Sequence, residues 1–169
     1  ANSDILHGDD GVDTVDYSNA TNGVEVNFVT NRGTGEGTDE LYDIENAVGS
    51  KYDDVFVSKL DVSNRFDGND DESGETIGDS ISYEGISVDA GQESTDKVII
   101  DLSGSADTDG YYTAQILQGD GTNNTTTVTD YLKDIENITG SVGNDTIIGD
   151  DDANTLKGLA GDDIISGQG

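Results

Sequence analysis

The stretch GSVGNDTIIGDDDANTLKGLAGDDIISG, from Gly140 to Gly167, passes through glycine, carboxylate and aliphatic pairs three times. With Asp145, Asn154 and Asp163 in one column the step is nine residues. The flanking columns agree: Gly140, Gly149 and Gly158 lie five places before, and Ile147, Leu156 and Ile165 two places after. Each round reads Gly-x-x-(Gly/Asp)-x-(Asp/Asn)-x-aliphatic-x, which sets a glycine-rich turn ahead of a short strand with one inward residue. A strand so short buries no face alone, so stacked copies have to supply one another's core.

The same columns recur along the chain. DILHGDDGVDTVDY, residues 4–17, places Asp4, Leu6, Gly8, Gly11, Asp13 and Val15 on them, and NRFDGNDDESGETIGDSISY, residues 64–83, places Asn64, Phe66, Gly68, Asp79 and Ile81, with about six extra residues in the turn. DELYDIENAVGSKYDDVFV (39–57) returns as DYLKDIENITGSVGNDTII (130–148). The chain reads as one elongated domain over 1–169: unit one at 1–63, unit two at 64–153 and the opening of unit three at 154–169. The steps between units are 60 and 90 residues, so unit two carries roughly thirty more, placed near 103–129.

Charge asks for a partner. The chain holds 37 Asp and Glu against 7 Lys and Arg, a net −30, and about 22% of it is Leu, Ile, Val or Phe, close to the level of a disordered chain. Self-repulsion opposes any compact state, which makes a bound cation the missing contribution and makes nucleic acid and anionic membrane surfaces poor partners; no nucleic acid is expected. Cysteine is absent, which rules out disulfides and thiolate zinc sites. No apolar stretch approaches a membrane span. The apolar periods are two and nine, so no helix is expected.

Carboxylates at the sixth place of a turn, with turn carbonyls beside them, are hard oxygen donors, and six to eight such oxygens suit Ca²⁺ better than Mg²⁺. Two nonapeptides complete one coil, so a turn faces the turn eighteen residues on. That arithmetic pairs Asp145 with Asp163 on one edge and Glu136 with Asn154 on the other, with Asp54 and Asp79, and Glu45 and Asn64, as the unit-one equivalents. Asp13 faces a neighbour that the repeat does not identify.

GLAGDDIIS, GSVGNDTII, GDDGVDTVD and GSKYDDVFV, and with Asn154 in place of the aspartate GDDDANTLK, resemble the RTX (repeats-in-toxin) family, whose signature is G-G-x-G-x-D-x-U-x. The resemblance implies an all-β fold, a right-handed parallel β-roll or β-solenoid with glycine-rich calcium-binding turns, here with an inserted β-hairpin. It implies Ca²⁺ held around Gly8, Asp10, Asp13, Glu45, Gly49, Asp54, Asn64, Asp79, Glu136, Gly140, Asp145, Asn154, Gly158 and Asp163. It also implies type I export and folding on extracellular calcium, in a protein that is secreted or held at the bacterial cell surface.

Other features carry less. DGNDDESG, residues 67–74, spaces Asp67, Asn69 and Asp71 as a calcium loop does, but Gly78 stands where the closing acid belongs, so a solvated loop is expected. His7 sits at the variable ninth place and is expected to be exposed. HExxH and G-x-S-x-G are absent, and solvent-facing turns give no dry pocket for a catalytic carboxylate pair. The sequence thus reads as a non-enzymatic, monomeric, calcium-stiffened module of a large adhesin-like protein. The 103–129 insertion is expected as a hairpin covering one edge of the roll. Tyr111, Tyr112, Gln115, Asn123 and Asn124 are its candidate face for a cell-surface sugar or protein. A ligand-binding adhesin module, or the non-catalytic C-terminal part of an exported enzyme, are the alternatives.

Overall fold

A computed structural model describes residues 2–60, 62–69, 77–86, 96–119 and 125–169; Asp71, Asn123 and Asn124 lie outside them. The described residues form strands and turns with no helix, in two eight-stranded sheets. Sheet one runs β1 (Ile5–His7), β5 (Thr38–Tyr42), β4 (Arg32–Thr34), β3 (Glu25–Asn27), β7 (Val55–Val57), β9 (Ser80–Ser82), β13 (Asn137–Thr139), β15 (Thr155–Lys157). Sheet two runs β2 (Thr14–Asp16), β6 (Asn46–Val48), β8 (Arg65–Asp67), β12 (Thr125–Lys133), β11 (Tyr112–Gly119), β10 (Lys97–Asp101), β14 (Thr146–Ile148), β16 (Ile164–Ser166). This is a β-roll. The chain crosses between the sheets at each turn, and most strands pair in parallel with the strand one coil on. Asn137 pairs with Thr155 and Thr146 with Ile164, each eighteen residues apart, as two nonapeptides per coil require.

The three-residue strands follow from the pattern. The middle residue points inward in most of them, and Val15, Val26, Ala47, Phe56, Phe66, Ile81, Ile138 and Ile147 are all buried in one core, together with Leu41 of the longer β5. Phe66 of sheet two packs against Phe56 of sheet one and against Phe28, with ring centres 5.4 and 5.5 Å away. The roll's interior is closed there by aromatic contact.

The strand order shows what the duplication does. β1 to β7 recur as β8 to β14, but every equivalent lies in the opposite sheet: β6 in sheet two and β13 in sheet one, β7 in sheet one and β14 in sheet two. Each unit contains one three-strand antiparallel meander that stays in a single sheet, β3-β4-β5 in the first and β10-β11-β12 in the second. A unit therefore makes an odd number of passes between the sheets, and successive units are related by a half-turn about the roll.

The meander corrects the expectation of an edge hairpin. β11 and β12 lie in the middle of sheet two, between β10 and β8, and carry Ala114, Ile116 and Leu132 into the core at no more than 1% exposure. Unit one does not lack this element; it has the same meander in a shorter form. The insertion lengthens it. β12 ends by pairing in parallel with β8, and β10 pairs in parallel with β14, so β11 bridges two otherwise separate stacks. Ile116→Ala is expected to cost roughly 2–5 kcal/mol. Removal of 103–129 should lower Tm sharply, because it takes away β11, the strand beside β10, and part of β12, so that Tyr131–Lys133 beside β8 lose their link to β10. Thermal melts followed by circular dichroism check both; an intact melt for the deletion would return the hairpin to the edge.

Candidate metal centre

Each nonapeptide turn presents its sixth residue immediately before a strand. In most of these turns that side chain does not hang in solvent but reaches the adjacent coil. The backbone N–H of Asp145 donates to Asp163 Oδ1 at 2.9 Å and that of Asp54 to Asp79 Oδ1 at 2.6 Å. The N–H of Asp79 donates to Glu136 Oε2 at 2.7 Å, and that of Asp13 to Glu45 Oε2 at 3.0 Å. Val24 and Val98, which stand at the equivalent point of the meanders, donate to Asp54 Oδ1 and Asp145 Oδ1 at 2.6 and 2.7 Å. A ladder of charge-assisted bonds thus runs along both edges of the roll, each stronger than a neutral backbone bond.

The ladder explains the first glycine of the turn. The sixth-place side chain folds back over it, so a methyl group at Gly8, Gly49, Gly140 or Gly158 would collide with Asp13, Asp54, Asp145 or Asp163 respectively. The DIEN segments form a second kind of turn, with Asp43 and Asp134 in the left-handed region at φ 53° and 52°. There Glu45 and Glu136 reach back to one neighbouring coil, while Asn46 and Asn137 reach forward to the other, accepting the N–H of Arg65 and Thr155 at 3.1 and 3.0 Å. Sequence reasoning picked out the glutamates and missed the asparagines, whose place at the first strand residue was the available signal.

Of the pairs expected from spacing, Asp145 with Asp163, Asp54 with Asp79 and Glu45 with Asn64 are brought together, the last through Asn64 Nδ2 donating to the Glu45 carbonyl at 2.9 Å. Glu136 and Asn154 turn to other groups: Glu136 to Asp79, and Asn154 into its own turn, where it exchanges two 3.0 Å bonds with Asp150. The neighbour of Asp13 is Glu45. Asp10 is exposed on the first turn.

The donor set fits a hard cation. Asp13 Oδ2 is buried with no hydrogen-bond donor against it, a costly state for a carboxylate oxygen. Asp163 sits in the same kind of turn. Among the described residues no three His, Asp or Glu side chains are spaced to hold a metal by themselves, so an ion in these turns takes backbone carbonyls for the balance, as calcium does readily. Leu159 occupies the second place of the Asp163 turn at φ 72°, a conformation that disfavours a branched side chain. Positive side chains are scarce on this surface. Lys133 is paired with Asp67 and Asp134 at 3.0 and 3.4 Å, and Arg65 lies between the rings of Tyr111 and Tyr131 at 4.8 and 4.9 Å.

Residues 1–21 and 136–169 match the family model of the RTX calcium-binding nonapeptide repeat, in four copies. These repeats bind Ca²⁺. A comparison with curated proteins gave no match.

Asp130 is the ladder residue that the repeat columns did not reveal, because the meander shifts it out of the nine-residue step. It precedes Tyr131-Leu132-Lys133 as Asn64 precedes Arg65-Phe66-Asp67, and the two strands pair in that register. Its carboxyl is fully buried, accepts Ser58 Oγ at 2.5 Å and the Asn64 N–H at 2.9 Å, and faces the buried Tyr83 hydroxyl. Burial pushes it up to about 6 from 3.8. The fold therefore keeps a proton that the unfolded chain gives up between about pH 4 and pH 6, and stability contributed there falls as pH rises. Asp130→Asn should flatten that part of the profile of Tm against pH; an unaltered slope would show that the carboxyl does not titrate there.

Proposed function

We propose that this chain, a segment of the RTX family, is a calcium-stiffened structural module of a larger exported protein, with no catalytic step of its own. The observation that carries this reading is the ladder: acidic side chains are built into most of the coil contacts, and Asp13 keeps a buried oxygen without a donor. At a net −30 the stacked carboxylates repel one another, and a divalent ion seated among them converts that repulsion into attraction across the turns. Extracellular calcium modules bind at about 10⁻⁴ to 10⁻³ M, so the turns stay empty in the cytosol and fill outside. Such a chain crosses a type I exporter unfolded and folds on the far side, as a monomer that is secreted or displayed at the cell surface.

An adhesin is the parent that best suits a stiff spacer of this kind. A second reading, in which the outer face of the β10-β11-β12 meander takes a sugar or a protein, is favoured by Tyr111 and Tyr131 flanking Arg65 beside Lys133 and Asp67. Aromatic rings with a fixed cation suit either ligand.

Calcium titration tests the main reading. In excess chelator the circular dichroism spectrum should be that of a disordered chain, millimolar Ca²⁺ should bring β-structure, and equal Mg²⁺ should do little. An unchanged spectrum and Tm after chelation would refute it.

A further inference from the structure

The glycine turns of this roll come in two forms, and the difference lies at the second residue. After Gly8, Gly68, Gly158 and Gly167 the next residue is left-handed: Asp9 at φ 60°, Asn69 at 64°, Leu159 at 72° and Gln168 at 59°. After Gly49, Gly140 and Gly149 it is not. There the residue is Ser50, Ser141 or Asp150, and its side chain bonds the sixth-place side chain of its own turn.

We infer that the Gly49–Asp54 and Gly140–Asp145 turns hold no calcium and are closed instead by Ser50 and Ser141, an inference that rests on the calcium-module reading above. Asp54 Oδ1 accepts the Val24 N–H at 2.6 Å and Ser50 Oγ at 2.9 Å, while Oδ2 accepts the Ser50 N–H at 2.5 Å. Asp145 repeats the set: Val98 N–H at 2.7 Å, Ser141 Oγ at 2.8 Å and Ser141 N–H at 2.6 Å. Each serine oxygen accepts in turn, from the N–H of Tyr52 at 3.1 Å and of Gly143 at 3.0 Å. Both acids are 1% exposed and both serines 0%, so the group is dry and its donors and acceptors are matched. An ion would have to displace the serine and lose these bonds, leaving buried N–H groups unsatisfied. Glycine at the first place of the turn lies directly against Oδ2, which fills the remaining side of the carboxylate.

The Gly149–Asn154 turn has the same closure with polarity reversed. Asn154 donates through Nδ2 to Asp150 Oδ1, and the Asp150 N–H donates to Asn154 Oδ1, both at 3.0 Å. A neutral amide stands where the acid would be. In the left-handed turn of Gly8, by contrast, no side chain closes on Asp13, whose Oδ2 has no donor. The roll therefore combines turns that need an ion with turns that carry their own lock. The number of ions linked to folding is smaller than the number of nonapeptides.

The test counts calcium ions bound per chain by isothermal titration and takes the slope of Tm against log free calcium, which reports the ions linked to unfolding. Asp54→Asn and Asp145→Asn should keep the ion count and the slope of the unaltered chain while lowering Tm. Asp163→Asn, the reference for an ion-binding turn, loses one ion. Loss of one ion from Asp54→Asn or Asp145→Asn overturns the inference. Should those variants not fold, Ser50→Ala and Ser141→Ala decide: a Tm deficit of a few degrees that is equal at every calcium concentration supports it, and a deficit that closes as calcium rises overturns it. Failure of the unaltered chain to bind calcium defeats the function reading itself, whereas an ion lost with Asp145 defeats this inference alone.

Discussion

The bond on which this fold depends is the one from a backbone N–H at the mouth of a strand to a carboxylate in the next coil. A three-residue strand makes too few ladder bonds to fix its own register, and a slip of one residue would turn its single aliphatic side chain outward. The acid immediately before the strand removes that freedom, because it meets only one N–H of the neighbouring coil. Asp54, Asp79 and Glu136 do this in succession along one edge, and Asp145 and Asp163 along the other. The glycine of each turn, the nine-residue step and the acidic composition are consequences of that contact.

The same contact sets the electrostatic cost. Carboxylates are stacked coil upon coil on a chain with 7 positive side chains against 37 negative ones. The structure meets the cost in two ways. Serine locks satisfy Asp54 and Asp145 from within the protein, and at Asp130 the Ser58 hydroxyl and the Asn64 N–H of other coils do so. Where neither device is present, as at Asp13, the turn has the oxygens and the opening for calcium. Folding is then coupled to the ion at chosen coils while the others stand on hydrogen bonds, which grades the module's response to calcium along its length.

Much of this was legible in the sequence, because a period is a geometric statement. The columns through Asp145, Asn154 and Asp163 gave strand length, inward residue and coil size, and spacing alone joined Asp54 to Asp79. What escaped was whatever the period does not carry. YTAQILQG reads as a strand of the inserted hairpin but not as a central one, and only pairing with β10 and β12 puts Ala114 and Ile116 in the core. The exchange of sheets between units follows from an odd number of passes, invisible until the meanders are seen to stay in one sheet. Ser50 and Ser141 stand where the signature has its second glycine, and their role as locks is not carried by the residue type, since a hydroxyl's partner is fixed by backbone φ. Asp130 left the nine-residue column because the meander precedes it.

Amide hydrogen exchange on the calcium-loaded chain tests the ladder most directly. The N–H groups of Asp54, Asp79 and Asp145 lie in turns, where exchange is ordinarily fast, yet each is bonded to a carboxylate of the next coil. The account predicts protection at these three positions equal to that of the strand amides of Phe56, Ile81 and Ile147, and lost in the same opening event. Exchange at the rate of an open turn, with the strand amides still protected, would contradict it.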